Sequence, residues 1–324
     1  MGINRKDALD YFASDDLIGI GMEADAIRRR LHPEGVVTYS IDGRINYGKA
    51  ANGAGFELVY NDISEMVAKG GTGVMLQGDV TQAHTIAWFD GLFRSIKQRF
   101  PDVWLHSLSA SEILAIAEQS GSTPHDTIAR LREAGLDSIP GDDAGILDDA
   151  VHQGTRKRGT TQDWIAVHRA AHTLGVKTAA TMVFGGGETF EHRLNHLEAI
   201  RQLQEETGGF TSFTPWTLAS PGSALSGFEE ATAVEYLKML ALSRLYLENI
   251  LNIQSSWVTP GLKTCQVGLR FGGNDVGSIM IEENVVSAAG AHHRASEEEL
   301  RRLIRDAGFI PKQRDTLYRT YFLN

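Results

Sequence analysis

Five acidic side chains stand where β-type runs meet glycine- or proline-marked turns: Asp79 after "VMLQG", Asp142 and Asp143 after "DSIPG", Glu188 after "FGGG", and Asp275 within "GGNDVG". Carboxylates gathered at strand ends suit general acid and base work, so each is a candidate catalytic group. Around them stand residues suited to holding a small molecule: Tyr47, Gln77, Gly78, His106, Gly185, Trp216, Ser256, Trp257, Asn274 and Glu282. Aromatic faces would stack on a ring, while amides, hydroxyls and close backbone N–H groups would orient it. Plainer readings exist for several of them. Asp142 or Asp143 can cap a helix, Glu188 can face a helix dipole, His106 can sit satisfied in a core, and the tryptophans can plug a barrel. The glycine run before Glu188 lacks the Lys and Ser/Thr of a P-loop. His168 with His172, and His192 with His196, have the i, i+4 spacing of a metal pair. On helices that cover a barrel they are expected on solvated faces. The clustered acids could offer oxygen ligands to Mg²⁺ or Mn²⁺, but no residue is assigned as a metal ligand.

The elements that must position these residues alternate along the chain. Candidate strands are Val36–Ile41, Gly73–Gln77, Val103–Ser107, Leu136–Ile139, Lys177–Phe184, Phe210–Pro215, Asn252–Ser256 and Val276–Ile281. Between them lie amphipathic helical patterns such as "TIAWFDGLFRSIKQRF" and "TFEHRLNHLEAIRQLQEETGG", with Gly175 and Gly208 placed to end helices. Strand–helix alternation repeated eight times predicts an α/β fold with a parallel sheet closed into a (β/α)8 TIM-type barrel of about 250 residues. The alternative is a doubly wound open sheet. The barrel is favoured because glycine-rich turns follow many strands, not only the first. The reading is a single domain over 1–324, with a helical cap at 1–35, the barrel at 36–285 and a C-terminal helical extension at 286–324.

Composition narrows the partners. A formal charge of -10 and a pI near 5.6 argue against nucleic acid or an anionic membrane, both of which reward clustered Lys and Arg. No apolar run approaches about 18 residues and the N-terminal stretch lacks a signal-peptide core, so a cytoplasmic protein with a small-molecule ligand is expected. A homodimer is an open expectation. The one cysteine, Cys265, excludes an internal disulfide and any site built on several thiolates of this chain.

The stretches "HPEGVVTYSIDGRINY", "LHSLSASEI", "TAATMVFGGGET", "NIQSSWVTPGLK" and "EEELRRLIRDAGFIPKQRDTLY" resemble the cyclic dehypoxanthinyl futalosine synthases of the futalosine route to menaquinone. Those enzymes belong to the radical S-adenosylmethionine superfamily, and the resemblance runs along nearly the whole chain. It implies a radical-SAM-type barrel with a [4Fe-4S] cluster held by C-x-x-x-C-x-x-C after the first strand. The implied reaction takes a hydrogen from a substrate ribose and closes a ring onto its benzoate. Anchored on Ile45-Asn46-Tyr47, the three ligand positions fall on Ala51, Gly55 and Leu58, none of which offers thiolate or imidazole. The expectation from this comparison is a protein with no [4Fe-4S] cluster and no required cofactor, with S-adenosylmethionine or a related adenosyl compound open as a ligand. Three functions stay in view: a non-radical enzyme acting on a nucleoside-like or aromatic-acid molecule; a pseudoenzyme that binds a futalosine-type or S-adenosyl metabolite or partners a paralogue; and the family cyclisation itself.

Overall fold

The computed structural model describes residues 2–50, 55–151, 159–218, 230–281, 293–319 and 321–322. Helix α1 (Arg5–Ala13) starts where the Asn4 side chain accepts the Asp7 N–H, and α2 (Leu17–Leu31) starts where Asp16 does the same for Gly19. Arg28, Arg29 and Arg30 fill the last turn of α2, where cations complement the helix dipole. Strand β1 (Val36–Asn46) follows, then α3 (Glu57–Ala68), β2 (Gly73–Gln77), α4 (Ile86–Arg99), β3 (Trp104–Leu105), α5 (Ala110–Ser120) and α6 (Pro124–Ala134). The second half runs β4 (Ser138–Ile139), α7 (Thr161–Thr173), β5 (Lys177–Phe184), α8 (Phe190–Thr207), β6 (Phe210–Thr217), α9 (Ala233–Tyr246), β7 (Asn252–Ile253), α10 (Leu262–Gly268) and β8 (Asp275–Ile281). The chain closes with α11 (Glu297–Asp306), β9 (Ile310–Arg314) and β10 (Tyr321–Phe322). Among the described residues no helix is long and apolar enough to cross a membrane.

All pairings among β1 to β8 are parallel. β1 lies between β2 and β8, β2 pairs with β3, and β4 to β7 pair in sequence order. Two single bridges join these halves into a ring, His106 to Ser138 and Gln254 to Asp275. The barrel is therefore closed, as strand count and spacing predicted. Outside the ring the C-terminal segment differs from the all-helical extension expected of it. Gly308, at φ 83°, ends α11, and Ile310–Gln313 then pair in parallel with Val36–Tyr39 along the first half of β1. β2 engages only Asp42–Asn46, so that length of the β1 edge is available to a strand, and hydrogen-bonding it satisfies backbone groups a helix would leave unpaired.

Strand alternation decides which side chains see the barrel interior. Along β6, Phe213 packs outward in the main apolar core, so Thr214 and Trp216 face inward, and Thr214 Oγ1 donates to the interior Gln254 at 2.7 Å. Along β1, Val37, Tyr39 and Ile41 pack outward, which turns Thr38, Ser40, Asp42 and Arg44 inward. The main core lies between the barrel and its helices, with Leu76, Phe89, Leu105, Met182 and Phe213 fully buried. A second, smaller apolar cluster fills the space between β1, β8, α10 and α11.

Candidate functional site

At the C-terminal mouth, the β1–β2 register sets Asn46 beside Gln77, the last residues of their strands. The Gln77 side-chain amide donates to Asp142 Oδ2 in the turn after β4, while Asp142 Oδ1 is buried with no hydrogen-bond partner among the described residues. Burial, and then the neighbouring charge of Asp143, push the Asp142 carboxyl up to about 6, against the opposing pull of Arg44. That turn is pressed onto β5: a Cβ on Gly141 would lie 2.3 Å from the Ala179 carbonyl oxygen. Asp143 takes positive φ, 66°, and its carboxylate accepts the Ser111 N–H at 2.8 Å. This joins the β4 turn to the start of α5. The expected helix-cap role of this acid is realised, but on a helix earlier in the chain.

One group at this mouth escaped the sequence reading. Glu112 is buried at the N3 position of α5, and Tyr47 O–H donates to its Oε1 at 2.7 Å. Its motif, "SASE", reads as a Ser109 capping box, and that box is formed. The motif alone therefore hides the second job. Burial first, with a contribution from Asp142, raises the Glu112 carboxyl to about 7. Asp79 is exposed in the turn after Gly78 and helps to raise the buried Tyr47 phenol.

Glu188 lies elsewhere and is fully engaged. Its oxygens accept Gly185 N–H at 2.7 Å, Gly186 N–H at 2.8 Å and Arg193 Nε–H at 2.7 Å. Burial alone would raise it, but the Gly185 bond and the Arg193 charge outweigh that and hold it below the usual carboxylate range. It acts as the internal clasp of the "GGGE" turn, not as a free acid, and Gly185, at φ 97°, belongs to the same clasp.

Deeper in the barrel, Ser138 Oγ accepts the Trp104 indole N–H at 2.8 Å and lies 2.7 Å from His106 Nδ1. Burial and the positive charge of Arg314 push His106 down to about 3, which keeps the imidazole neutral. Asp275 and Asn274, expected at the mouth, are at the opposite end, because Asp275 opens β8 and does not end it. Asp275 is fully buried in a bidentate pair with Arg314, at 2.5 and 2.9 Å, and also accepts from Thr38 and Gly277. Asn274 Oδ1 accepts from Arg244 at 2.7 Å and from Ile253 N–H at 2.9 Å. Both are structural groups of the barrel base.

The expected tryptophan pair is also divided. Trp216 is half-buried and inward, whereas Trp257 packs outward against Val37, Tyr39 and Leu269 in the second apolar cluster. Ser256, one residue earlier, is buried, and its N–H donates to Tyr236 Oη at 2.6 Å. Ala51 and Glu282 lie outside the described residues, while Gly55 and Leu58 lead into and lie within α3. The histidine pairs are not on solvated faces: His168 and His196 are fully buried against the barrel, bonded to Thr178 Oγ1 and to Leu147 N–H. Burial sends His168 well below its ordinary range.

The larger described cavity, of about 460 Å³, is not at the mouth. It lies at the N-terminal ends of the strands between Lys177, Phe210, Asn252, Asn274 and Tyr318. A smaller one, of about 200 Å³, opens at the mouth beside Thr217, Leu218, Thr259 and Pro260. In parallel barrels chemistry is carried by the strand C-termini, so the acids at the mouth weigh more than cavity size.

A closed parallel barrel with its acids at that end defines the class to which two solved structures also belong. Methylornithine synthase (PylB) superposes with a TM-score of 0.70 at 15% identity, covering 96% of this chain and 94% of that one. The FeFe-hydrogenase maturase HydG from Carboxydothermus hydrogenoformans gives 0.72 at 14% identity, covering 98% and 78%. Sequence carries the assignment further. Residues 46–200 match the radical SAM superfamily, and 207–323 match the CofH/MqnC C-terminal region. The chain is 38% identical to the cyclic dehypoxanthine futalosine synthase of Halalkalibacterium halodurans, over 98% of this chain and 90% of that protein. It is 35% identical to the 5-amino-6-(D-ribitylamino)uracil–L-tyrosine 4-hydroxyphenyl transferase of Methanothermobacter thermautotrophicus, over 98% and 91%. The chain belongs to the radical SAM superfamily, in its CofH/MqnC branch.

That membership corrects one expectation. The match is to the radical SAM superfamily, a family defined by S-adenosylmethionine chemistry, and to full-length futalosine synthases, so the homology does not support the expected protein with no cluster and no cofactor. The chain's own donor set does not fit a cluster held by three of its cysteines. Gly55 and Leu58 carry no ligand atoms, and Cys265 is buried on α10, its Sγ–H donating to the Ser255 carbonyl at 3.1 Å. Burial raises that thiol to about 12. No chemical step below is routed through a cluster.

Proposed function

We propose that this chain is an enzyme whose barrel mouth binds a nucleoside-like or aromatic-acid small molecule, with Asp142 as the acid–base group that meets it. The relatives named above support the substrate class: one makes a cyclic futalosine derivative and the other joins a ribityl-uracil to the ring of tyrosine. The observation that carries the reading is the state of Asp142. It has one oxygen tied to Gln77, one buried oxygen without a partner among the described residues, and a carboxyl that changes charge near pH 6. An unmet buried acceptor is costly, and a ligand O–H or N–H at that point removes the cost. Trp216, inward on β6, would supply an aromatic face, and Arg44, inward on β1, would supply charge for a carboxylate.

The test is direct. Protein purified and then denatured is assayed by mass spectrometry for released small molecules, and dehypoxanthine futalosine and S-adenosylmethionine are titrated into the native protein. Binding of one of these or of a released nucleoside or aromatic acid below about 1 mM, weakened roughly tenfold in Asp142→Asn, supports the reading. No binding at that level, or binding indifferent to Asp142→Asn, overturns it. Binding of the compounds without turnover of any would leave a binding protein and remove the enzyme.

A further inference from the structure

We propose that Glu112 is the positioning residue of this mouth, one carboxylate that fastens the ends of β1, β2 and β3 together and so sets the spacing into which a ligand is received. The inference rests on the proposed function, since that ligand is what the spacing serves. Glu112 Oε1 accepts Tyr47 O–H at 2.7 Å and Gly78 N–H at 3.0 Å, while Oε2 accepts Ser109 N–H at 2.7 Å. Tyr47 directly follows β1, Gly78 directly follows β2, and Ser109 stands between β3 and α5. A helix cap needs only the Ser109 bond, so the reach to two other strand ends goes beyond capping.

The partners are themselves rigid. Tyr47 is fully buried, held edge-on by Phe89 and His84 with ring centres 5.1 Å away in each case. Gly78 is in contact with it: a Cβ there would lie 2.9 Å from the Tyr47 ring. Three donors converging on one buried carboxylate make strong, oriented bonds, and they favour its charged form. The titratable and charged groups around this cluster are Arg44 and Tyr47 from β1 and its end, Asp79 and His84 from the segment after β2, and Asp142 and Asp143 from the β4 turn. Burial and the Asp142 charge oppose ionisation, which puts the change of state near neutrality.

Glu112→Gln keeps one acceptor oxygen but turns an NH2 group toward a backbone N–H, so three donors can no longer be met. Glu112→Asp keeps the charge but falls short of Tyr47 and Gly78. Amide hydrogen exchange in the segment starting at Gly78 should quicken about tenfold in both variants, while amides of β5 and β6, remote from Glu112, change by no more than the global loss of stability accounts for. Isothermal titration with S-adenosylmethionine from pH 5.5 to 8.5 should show an affinity in wild type that changes around pH 7. In Glu112→Gln it should be about tenfold weaker, with the step near pH 7 gone. Unchanged exchange at Gly78, or a step near pH 7 that persists in Glu112→Gln beside the Asp142 step near pH 6, would overturn the role of Glu112. Absence of binding by S-adenosylmethionine, dehypoxanthine futalosine and any released compound alike would count against the proposed function, with exchange still deciding whether Glu112 fastens the loops.

Discussion

Asp142 is a buried acid with its neighbours arranged to keep it from ionising easily. Its folded carboxyl sits near 6, above the ordinary 3.8, because burial and Asp143 outweigh the help of Arg44 and Gln77. Glu112 is raised in the same sense. A carboxyl raised on folding holds its proton longer in the folded state than in the unfolded one. The associated stability is therefore complete below about pH 4 and is lost as pH rises through 6 and 7. For Asp142 the shift corresponds to at most on the order of 3 kcal/mol. Urea unfolding at pH 5 and pH 8 should show wild type losing more stability than Asp142→Asn across that interval. Equal losses would mean that Asp142 titrates as an ordinary surface acid. His106 acts with the opposite sign: lowered by burial and the charge of Arg314 to about 3, it stays neutral in the fold while the unfolded chain takes a proton below its ordinary 6.5, so it adds stability as pH rises toward 7, equally in both proteins, and cancels from the comparison.

At the scale of elements, the turn after β5 shows how a candidate acid can be absorbed by local structure. Glu188 is the clasp for Gly185 and Gly186 and one of two anionic partners of Arg193, the other being Glu235 at 2.6 Å. Glu188→Ala leaves two backbone donors and part of a buried guanidinium unmet, so a loss of about 2–3 kcal/mol is expected in chemical denaturation. The turn after β4 is held by contact instead: Gly141→Ala should cost about 1–3 kcal/mol, because its new methyl meets the Ala179 carbonyl. The strands and their turns were legible because period-2 apolar runs bounded by Gly and Pro state their own limits. The last strand was misread because the turn residues before it, and not only those after it, were counted at the mouth. Asn274 and Asp275 precede the apolar run Val276–Ile281, so in a parallel barrel they belong to its N-terminal end, and the register against Thr38 places them at the base. Trp257 was misread for a related reason, since parity beyond the short β7 depends on where pairing stops. Glu112 stayed hidden because its capping motif already explained it.

For the whole molecule, the barrel's two ends divide the work. The base is closed by Arg314, from β9, reaching Asp275 inside the barrel, with its guanidinium 3.9 Å over the Tyr318 ring and Tyr318 Oη accepting from Gln254 at 2.8 Å. Removing one member leaves the other charge buried alone, so Arg314→Ala should lower unfolding free energy by about 3–5 kcal/mol, and pairing it with Asp275→Leu should restore much of that. If the single variant unfolded like wild type, the segment would not be closing the base. The mouth carries the carboxyls near neutrality, and the base carries the larger cavity, so the location of a bound ligand distinguishes the two ends. The deciding measurement is a crystal structure of the protein grown with the compound it binds most tightly. Density is expected at the mouth, within hydrogen-bonding distance of Asp142 and beside Trp216. Density confined to the cavity between Lys177, Asn252, Asn274 and Tyr318, with Asp142 Oδ1 still unpartnered, would contradict it.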